Sequence, residues 1–197
     1  MRVIGGKFGS RRLSFPKSKL TRPMTDRAKE TVFNILGARI ASAIVLDLFA
    51  GSGSLGIEAL SRGGQSVVFV DHSEECQSCI DKNLVAFDLK PDCRIMRSEA
   101  GSAIRALSKK GYKFDLIFLD PPHNKGFIKK LLHRLDRSDI VAPSGIIVVG
   151  HSDKEGLPER FETLYHERTA KIGQSFISFI VRVGSNEKKT GTLSGEL

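Results

Sequence analysis

Residues 44–71, IVLDLFAGSGSLGIEALSRGGQSVVFVD, decide the fold. The apolar run Ile44 to Leu48 reads as a strand, the stretch near 54–62 as a helix, and Ser66 to Val70 as a second strand. Gly51, Gly53 and Gly56 form a G-x-G-x-x-G pattern between the first strand and the helix. Glycines there let the backbone turn sharply and approach a ligand closely. The pattern alone is shared by dinucleotide binders and methyl-transfer enzymes, and a purely structural turn would also show it.

Outward from this unit the same alternation continues. Arg94 to Met96, Phe114 to Leu119 and Gly145 to Val149 read as strands, with helical stretches near 74–87, 100–109 and 126–136. Such alternation predicts parallel strands joined by right-handed helical crossovers. The run FDLIFL is apolar at nearly every position, as a strand covered on both faces should be. After Pro158 the pattern changes: Phe161 to His166 and Ser175 to Val183 predict an antiparallel edge pair. At the front, Arg2 to Ile4 and Arg12 to Phe15 flank a Gly-rich turn and predict a small hairpin. The stretch TRPMTDRAKETVFNILGARI holds a helix with Ala28, Val32, Ile35 and Leu36 on its apolar face. The expected organisation is a basic extension over 1–40, an α/β domain over 41–183 and a polar tail over 184–197.

Acids follow the strands. Asp71 ends the second strand, 20 residues beyond Gly51, where a carboxylate can accept the ribose hydroxyls of an adenosine-containing ligand. Glu99 follows the third strand and Asp120 the fourth. Ligands of open α/β sheets bind outside the carboxyl ends of strands, so a glycine loop and three acids face one crevice. A hydride-transfer enzyme would need a substrate domain, and only a short tail follows the sheet.

Asp120-Pro121-Pro122-His123 is the most specific segment. It resembles the [DNS]-P-P-[YFW] signature of methyltransferases acting on planar amino groups. Such an amine is a poor nucleophile because its lone pair is delocalised. The Asp120 carboxylate and the Pro121 carbonyl can hold its two N–H hydrogens, and the carboxylate stabilises positive charge growing on nitrogen. The prolines fix φ and stiffen the turn. His123 stands where the signature has an aromatic ring that stacks on the base, and imidazole offers a smaller platform. A rigid loop after a buried strand is the plainer reading of the same residues.

The chain of 197 residues suits one domain, and its composition, 40% hydrophobic and 27% charged, is that of a globular protein. No apolar run approaches the roughly 20 residues needed to span a bilayer. The start, MRVIGGKFGSRRL, lacks an apolar signal core, so a cytoplasmic location is expected and no membrane partner. Cys76, Cys79 and Cys93 are read as free thiols, and Cys76 and Cys79 share a helical stripe with Ile80, Leu84 and Phe87, so no metal is expected. Residues 1–39 hold ten Lys or Arg against two acids, a net +8 out of the chain's +9. That concentration is the footprint of a phosphate-backbone binder, against the alternative of a solubilising surface.

With these residues assembled, the sequence resembles the RsmD-type 16S ribosomal RNA (guanine-N2)-methyltransferase family. The resemblance covers roughly residues 1–183 through MRVIGGKFGSRRL, TRPMTDRAKETVFNIL, LDLFAGSGSLGIEALSRG, DPPH and the late Gly173-Gln-Ser175. It implies a Rossmann-like class I S-adenosylmethionine methyltransferase with a seven-stranded, mostly parallel sheet and an N-terminal hairpin extension. It implies methylation of the guanine N2 amine in small-subunit ribosomal RNA, in an assembly particle. Catalysis then falls to Asp120, Pro121, Pro122 and His123. The cofactor falls to Asp47, Phe49, Ala50, Gly51, Ser52 and Gly53, with Asp71 and His72 at the ribose, Glu99 and Ala100 at the adenine, and Asp120 at the reacting end. RNA falls to Arg11, Arg12, Arg22, Thr25, Arg27 and His123. An adenine-N6 methyltransferase and a non-catalytic RNA-binding assembly factor stand as alternatives.

Overall fold

A computed structural model describes residues 1–16, 24–122 and 126–184. Seven strands form one sheet: β1 (Ile44–Asp47), β2 (Ser66–Asp71), β3 (Cys93–Arg97), β4 (Phe114–Leu119), β5 (Val141–Ser152), β6 (Leu164–Ile172) and β7 (Ser175–Arg182). Their order is β3-β2-β1-β4-β5-β7-β6. The first five are mutually parallel, and β7 runs antiparallel to both β5 and β6. The order reverses between β1 and β4, and a ligand crevice opens at such a switch point.

Five helices cover the sheet: α1 (Asp26–Leu36), α2 (Ser54–Ser61), α3 (Glu74–Phe87), α4 (Ala100–Lys109) and α5 (Phe127–Asp136). Alternate residues of the central strands feed two cores. Val45, Phe69, Leu116 and Val148 pack with α1, α2 and α3. Leu46, Val68, Ile117 and Val149 pack with α4 and α5 on the other face. Local chemistry starts the helices on cue. Thr25 Oγ1 accepts from Ala28 N–H, and Ser73 Oγ accepts from Cys76 N–H, each satisfying an otherwise orphaned donor.

The front end forms the predicted hairpin in short form. A single antiparallel bridge joins Arg2 to Arg12, flanked by bonds from Val3 N–H to the Arg11 carbonyl (3.0 Å) and from Leu13 N–H to the Met1 carbonyl (3.3 Å), with a 3-10 turn, Gly6–Phe8, between the arms. Beyond Val3, backbone N–H groups are claimed by α2. Glu58 accepts from Ile4 N–H (2.7 Å) and Gly5 N–H (2.9 Å), and Ser61 Oγ accepts from Phe8 N–H (2.9 Å). A Cβ on Gly6 would stand 1.9 Å from the Ser61 carbonyl oxygen, so the close approach requires glycine. Every residue of α2 is buried in consequence.

This contact corrects the charge reading. Lys29 was counted among the phosphate binders, but it is wholly buried, 3.7 Å from Glu58 and donating to the Arg2 carbonyl (2.7 Å). Burial pulls its pKa down, and the Glu58 carboxylate opposes that. Val3, Phe8 and Leu13 join the α1–α3 core, so the described residues of the 1–40 segment pack into the same core as the sheet.

The edge pair also shifts. β6 starts at Leu164, not Phe161, because Asp136 at the end of α5 holds the residues before it. Its carboxylate accepts from the N–H groups of Glu162 (2.7 Å), Thr163 (2.7 Å) and Leu164 (3.1 Å). Burial alone would raise the Asp136 pKa, but these bonds and the Thr163 hydroxyl hold it below the usual carboxylate range. A lowered folded pKa means stability present above the unfolded pKa and lost as pH falls through the folded one. Asp136→Ala is expected to cost about 2–3 kcal/mol at pH 7, and to blunt acid destabilisation. Urea melts of both proteins at pH 7 and pH 3.5 measure this.

Cys76 and Cys79 are buried on α3, and burial pushes the Cys76 thiol up to about 11. No described helix is long and apolar enough to cross a membrane.

Candidate active site

The glycine loop leaves β1 and reaches α2 through two left-handed residues, Gly51 (φ +55°) and Gly53 (φ +80°). Ala50 N–H donates to the Val70 carbonyl (3.1 Å), and Gly53 N–H to the Ala50 carbonyl (2.7 Å). A Cβ on Gly56 would stand 2.3 Å from the Phe69 ring, so this glycine seats α2 on the sheet. The three glycines thus divide into two that shape the loop and one that sets packing.

Two predicted carboxylates brace this loop. Asp71 Oδ2 accepts from Gly51 N–H (2.9 Å), while its Oδ1 accepts from Ser73 N–H (2.9 Å) and lies 3.7 Å from His72 Nδ1. Asp47 Oδ2 accepts from Gly56 N–H (3.2 Å). Burial pushes the Asp47 pKa up to about 7; Gly56 N–H opposes this, and the charges of Asp120 and Asp71 add to it. Three carboxylates therefore converge at the carboxyl end of β1, β2 and β4. Such a cluster repels its own members and favours a cation.

Other predicted residues take varied places. Ser52 is buried in the loop, and its carbonyl accepts from Asn83 Nδ2 (2.9 Å). Phe49 packs on Phe127 with ring centroids 6.1 Å apart. Glu99, exposed, follows β3 as the N-cap of α4, and Ala100 is the buried first residue of that helix.

Asp120 follows β4 and lies against β5. A Cβ on Gly150 would come within 2.2 Å of Asp120 Oδ1, so the carboxylate occupies the space this glycine leaves open. Pro121 is buried and Pro122 half-buried. His123 and Arg22, predicted for stacking and RNA binding, lie outside the described residues.

Beside Asp120 opens a cleft of about 1010 Å3. Thr25 and Arg27, at the start of α1, form one wall with Met24 and Ala28. The turn between β6 and β7 forms the opposite wall, with Lys171, Gln174 and Phe176. The structure brings Thr25 and Arg27 to Asp120, although the Thr25 hydroxyl is engaged in capping α1. It does not bring Arg11 there. That guanidinium donates to the Ala86 carbonyl and lies 4.1 Å above the Phe87 ring, which ties the N-terminal segment to the end of α3. Arg12 is exposed beside it.

Sequence reasoning misses Asn83 and Gly150, gives His151 no role, and marks Gly173-Gln-Ser175 only as part of a resemblance, not as a wall of the cleft. Asn83 exchanges two hydrogen bonds with the Ser14 backbone while holding Ser52, and so links the N-terminal segment to the loop. Its only sequence signal is a polar residue on the apolar stripe of α3. His151 stacks on Phe176 and shares a hydrogen bond with Ser178 (2.8 Å). Among the described residues no group of three or more His, Cys, Asp or Glu is arranged to hold a metal.

A family profile described as "Conserved hypothetical protein 95" matches residues 1–181. The ribosomal RNA small subunit methyltransferase D of Escherichia coli K12 is 35% identical over 158 residues, covering 80% of this chain and 78% of the relative. This chain belongs to the RsmD-type methyltransferase family. The RsmD-type match also extends to the YlbH protein of Bacillus subtilis, 36% identical over 184 residues, covering 93% of this chain and 100% of the relative. The solved structure of the Escherichia coli yhhF protein superposes with a TM-score of 0.82 at 32% identity, covering 93% of this chain and 98% of that one. RsmD-type membership and the observed strand order agree on a Rossmann-like class I methyltransferase fold.

Proposed function

We propose that this protein, in the cytoplasm, transfers a methyl group from S-adenosylmethionine to the N2 amine of a guanine in 16S ribosomal RNA within a small-subunit assembly particle. The observation that carries the reading is the meeting of Asp47, Asp71 and Asp120 beside the glycine loop, with Asp120 also lining the cleft between α1 and the β6–β7 turn. The name of the E. coli relative supports ribosomal RNA of the small subunit as the substrate.

The donor set fits the cofactor. Its sulfonium and α-ammonium are cationic, and the three carboxylates supply matching negative charge. Gly51, where a Cβ would meet nothing within 4 Å, leaves the loop backbone bare for the methionine end. Asp71, with His72, is placed for the ribose, and Glu99 with Ala100 for the adenine. When bound, S-adenosylmethionine supplies an electrophilic methyl carbon. Asp120 and the Pro121 carbonyl orient the acceptor amine, and Asp120 stabilises the charge that grows on nitrogen and takes up the proton it sheds. Because Gly150 lets the carboxylate rest against β5, this geometry is preorganised. The cleft, at about 1010 Å3, sits at the top of the roughly 300–1,000 Å3 range of small-molecule pockets, as suits a base still attached to its strand. A paired base hides its amine, so the target is flipped out or unpaired.

The test is mass spectrometry of nucleosides from 16S ribosomal RNA of cells with and without the protein. N2-methylguanosine is expected to disappear with the protein and return on re-expression. Loss of N6-methyladenosine instead would assign the adenine reaction. Unchanged nucleosides with intact cofactor binding would assign the non-catalytic assembly role.

A further inference from the structure

Charge counted along the chain hides a second basic surface. Residues 104–139 carry nine Lys or Arg against four acids, a net +5, and an acid-rich 40–103 cancels most of it in the total. In the fold five of these nine gather on one feature. A groove of about 670 Å3 runs between α4 and α5, walled by Arg105 and Lys109 on one side and Lys130, His133, Arg134 and Arg137 on the other. Its one carboxylate, Asp139, lies 4.0 Å from Lys113 Nζ and 3.5 Å from Arg182 Nη2, so its charge is already met.

Helix electrostatics explain only part of this. Lys109, His133 and Arg134 sit in last turns, where a cation complements the helix dipole. Arg134 also donates to the Gly101 carbonyl (2.7 Å), and Arg137 pairs with Glu162. Lys130 has the opposite placement. It stands beside Lys129 near the start of α5, whose first turn holds no acid, and there a cation is unfavourable. Arg105 and Lys109 are spaced i,i+4 on α4, as are Lys130 and Arg134 on α5, and like charges at that spacing repel. An arrangement that costs stability in the free protein is accounted for by an anionic partner.

We infer that the α4–α5 groove is a second docking surface for RNA, binding phosphates of the strand whose base enters the cleft. The inference rests on RNA being the substrate. The cations are strung along two helices at steps of one turn, about 5.4 Å, and do not converge on a point, which suits a linear polyanion rather than a single phosphate. The placement suits it too. α4 and α5 cover the sheet face opposite the one that carries α1 and the N-terminal segment. Basic surfaces therefore lie on both faces of the sheet.

The probe is a naked fragment of 16S ribosomal RNA, with the full chain carrying Arg105→Gln, Lys109→Gln and Lys130→Gln together. These three side chains are exposed, and glutamine keeps helix propensity. RNA affinity in about 0.1 M salt is expected to fall about tenfold or more. The slope of log K against log salt should flatten by about two units, at 0.7–0.9 per phosphate lost. S-adenosylmethionine affinity should hold, and thermal stability should hold or rise as repulsion is relieved. Wild-type and variant slopes that coincide would overturn the groove and leave the substrate reading intact. A wild-type protein that binds neither the naked RNA nor the assembly particle would overturn both. A loss seen only with protein-containing particles, with naked RNA bound as before, would assign the groove to an acidic protein surface and overturn the RNA inference.

Discussion

Asp120→Ala is expected to slow methyl transfer at least about a hundredfold at saturating cofactor, with RNA and cofactor affinity changed far less. Removing a preorganised group that stabilises charge only in the transition state typically costs 10²–10³ in rate. A hundredfold corresponds to about 2.7 kcal/mol of barrier. Asp120→Asn retains one acceptor oxygen and loses the charge, so its rate should fall between those of the wild type and the alanine variant. Gly150→Ala supplies an independent control, because it keeps the carboxylate and moves it. The new Cβ would meet Asp120 Oδ1 at 2.2 Å but Asp120 Cβ only at 3.6 Å, so the short side chain can rotate away without disturbing the strands. That variant should fold and bind cofactor, yet lose about tenfold or more in rate through misalignment. Single-turnover methylation of 16S ribosomal RNA measures all three. Wild-type rates in a folded Asp120→Ala protein would remove the carboxylate from its assigned role.

Affinity for S-adenosylmethionine should rise about tenfold per pH unit from pH 5 to 7 and then level off, with Asp47 as the titrating group. In the free protein this carboxyl is half-protonated near neutrality, because burial and the neighbouring charges of Asp120 and Asp71 disfavour its anion. A cationic ligand favours the anion, so binding below pH 7 must expel a proton, and linkage makes affinity follow the ionised fraction. Stability of the free protein runs the other way. A folded pKa raised above the unfolded one contributes stability that is full below about pH 4 and is lost as pH rises toward 7. Asp47→Asn should flatten the binding profile between pH 5 and 7 at an affinity below the wild-type plateau. Calorimetry in buffers of different ionisation heat reads both the affinity and the proton released. A wild-type dissociation constant that stays level across this range would exclude Asp47 from the linkage.

The alternating strands and helices, the glycine loop and the acids at strand ends were legible because each rests on local rules. Periodicity reports how many faces of an element are covered, and a buried strand such as FDLIFL shows that directly. Placement of Asp71 beside the loop follows from two parallel strands ending at the same edge. The misreading is of another kind. Lys29 counts toward the basic segment on charge alone, yet it is buried against Glu58. A charge on paper carries no information about the carboxylate that meets it.

The sequence by itself determined the α/β class, the cofactor loop and the Asp-Pro-Pro segment at the end of the fourth strand. Those features depend on residues close in the chain, whose dihedral limits and side-chain period act before any tertiary contact forms. Only the tertiary structure decided that Glu58 would take the N–H groups of Ile4 and Gly5, that Gly150 would make room for Asp120, and that the β6–β7 turn would wall the cleft. It alone set the cations of α4 and α5 across one groove. These contacts join residues from 25 to more than 140 positions apart. Their distances are set by strand order and by how helices pack on the sheet, and no local pattern encodes either.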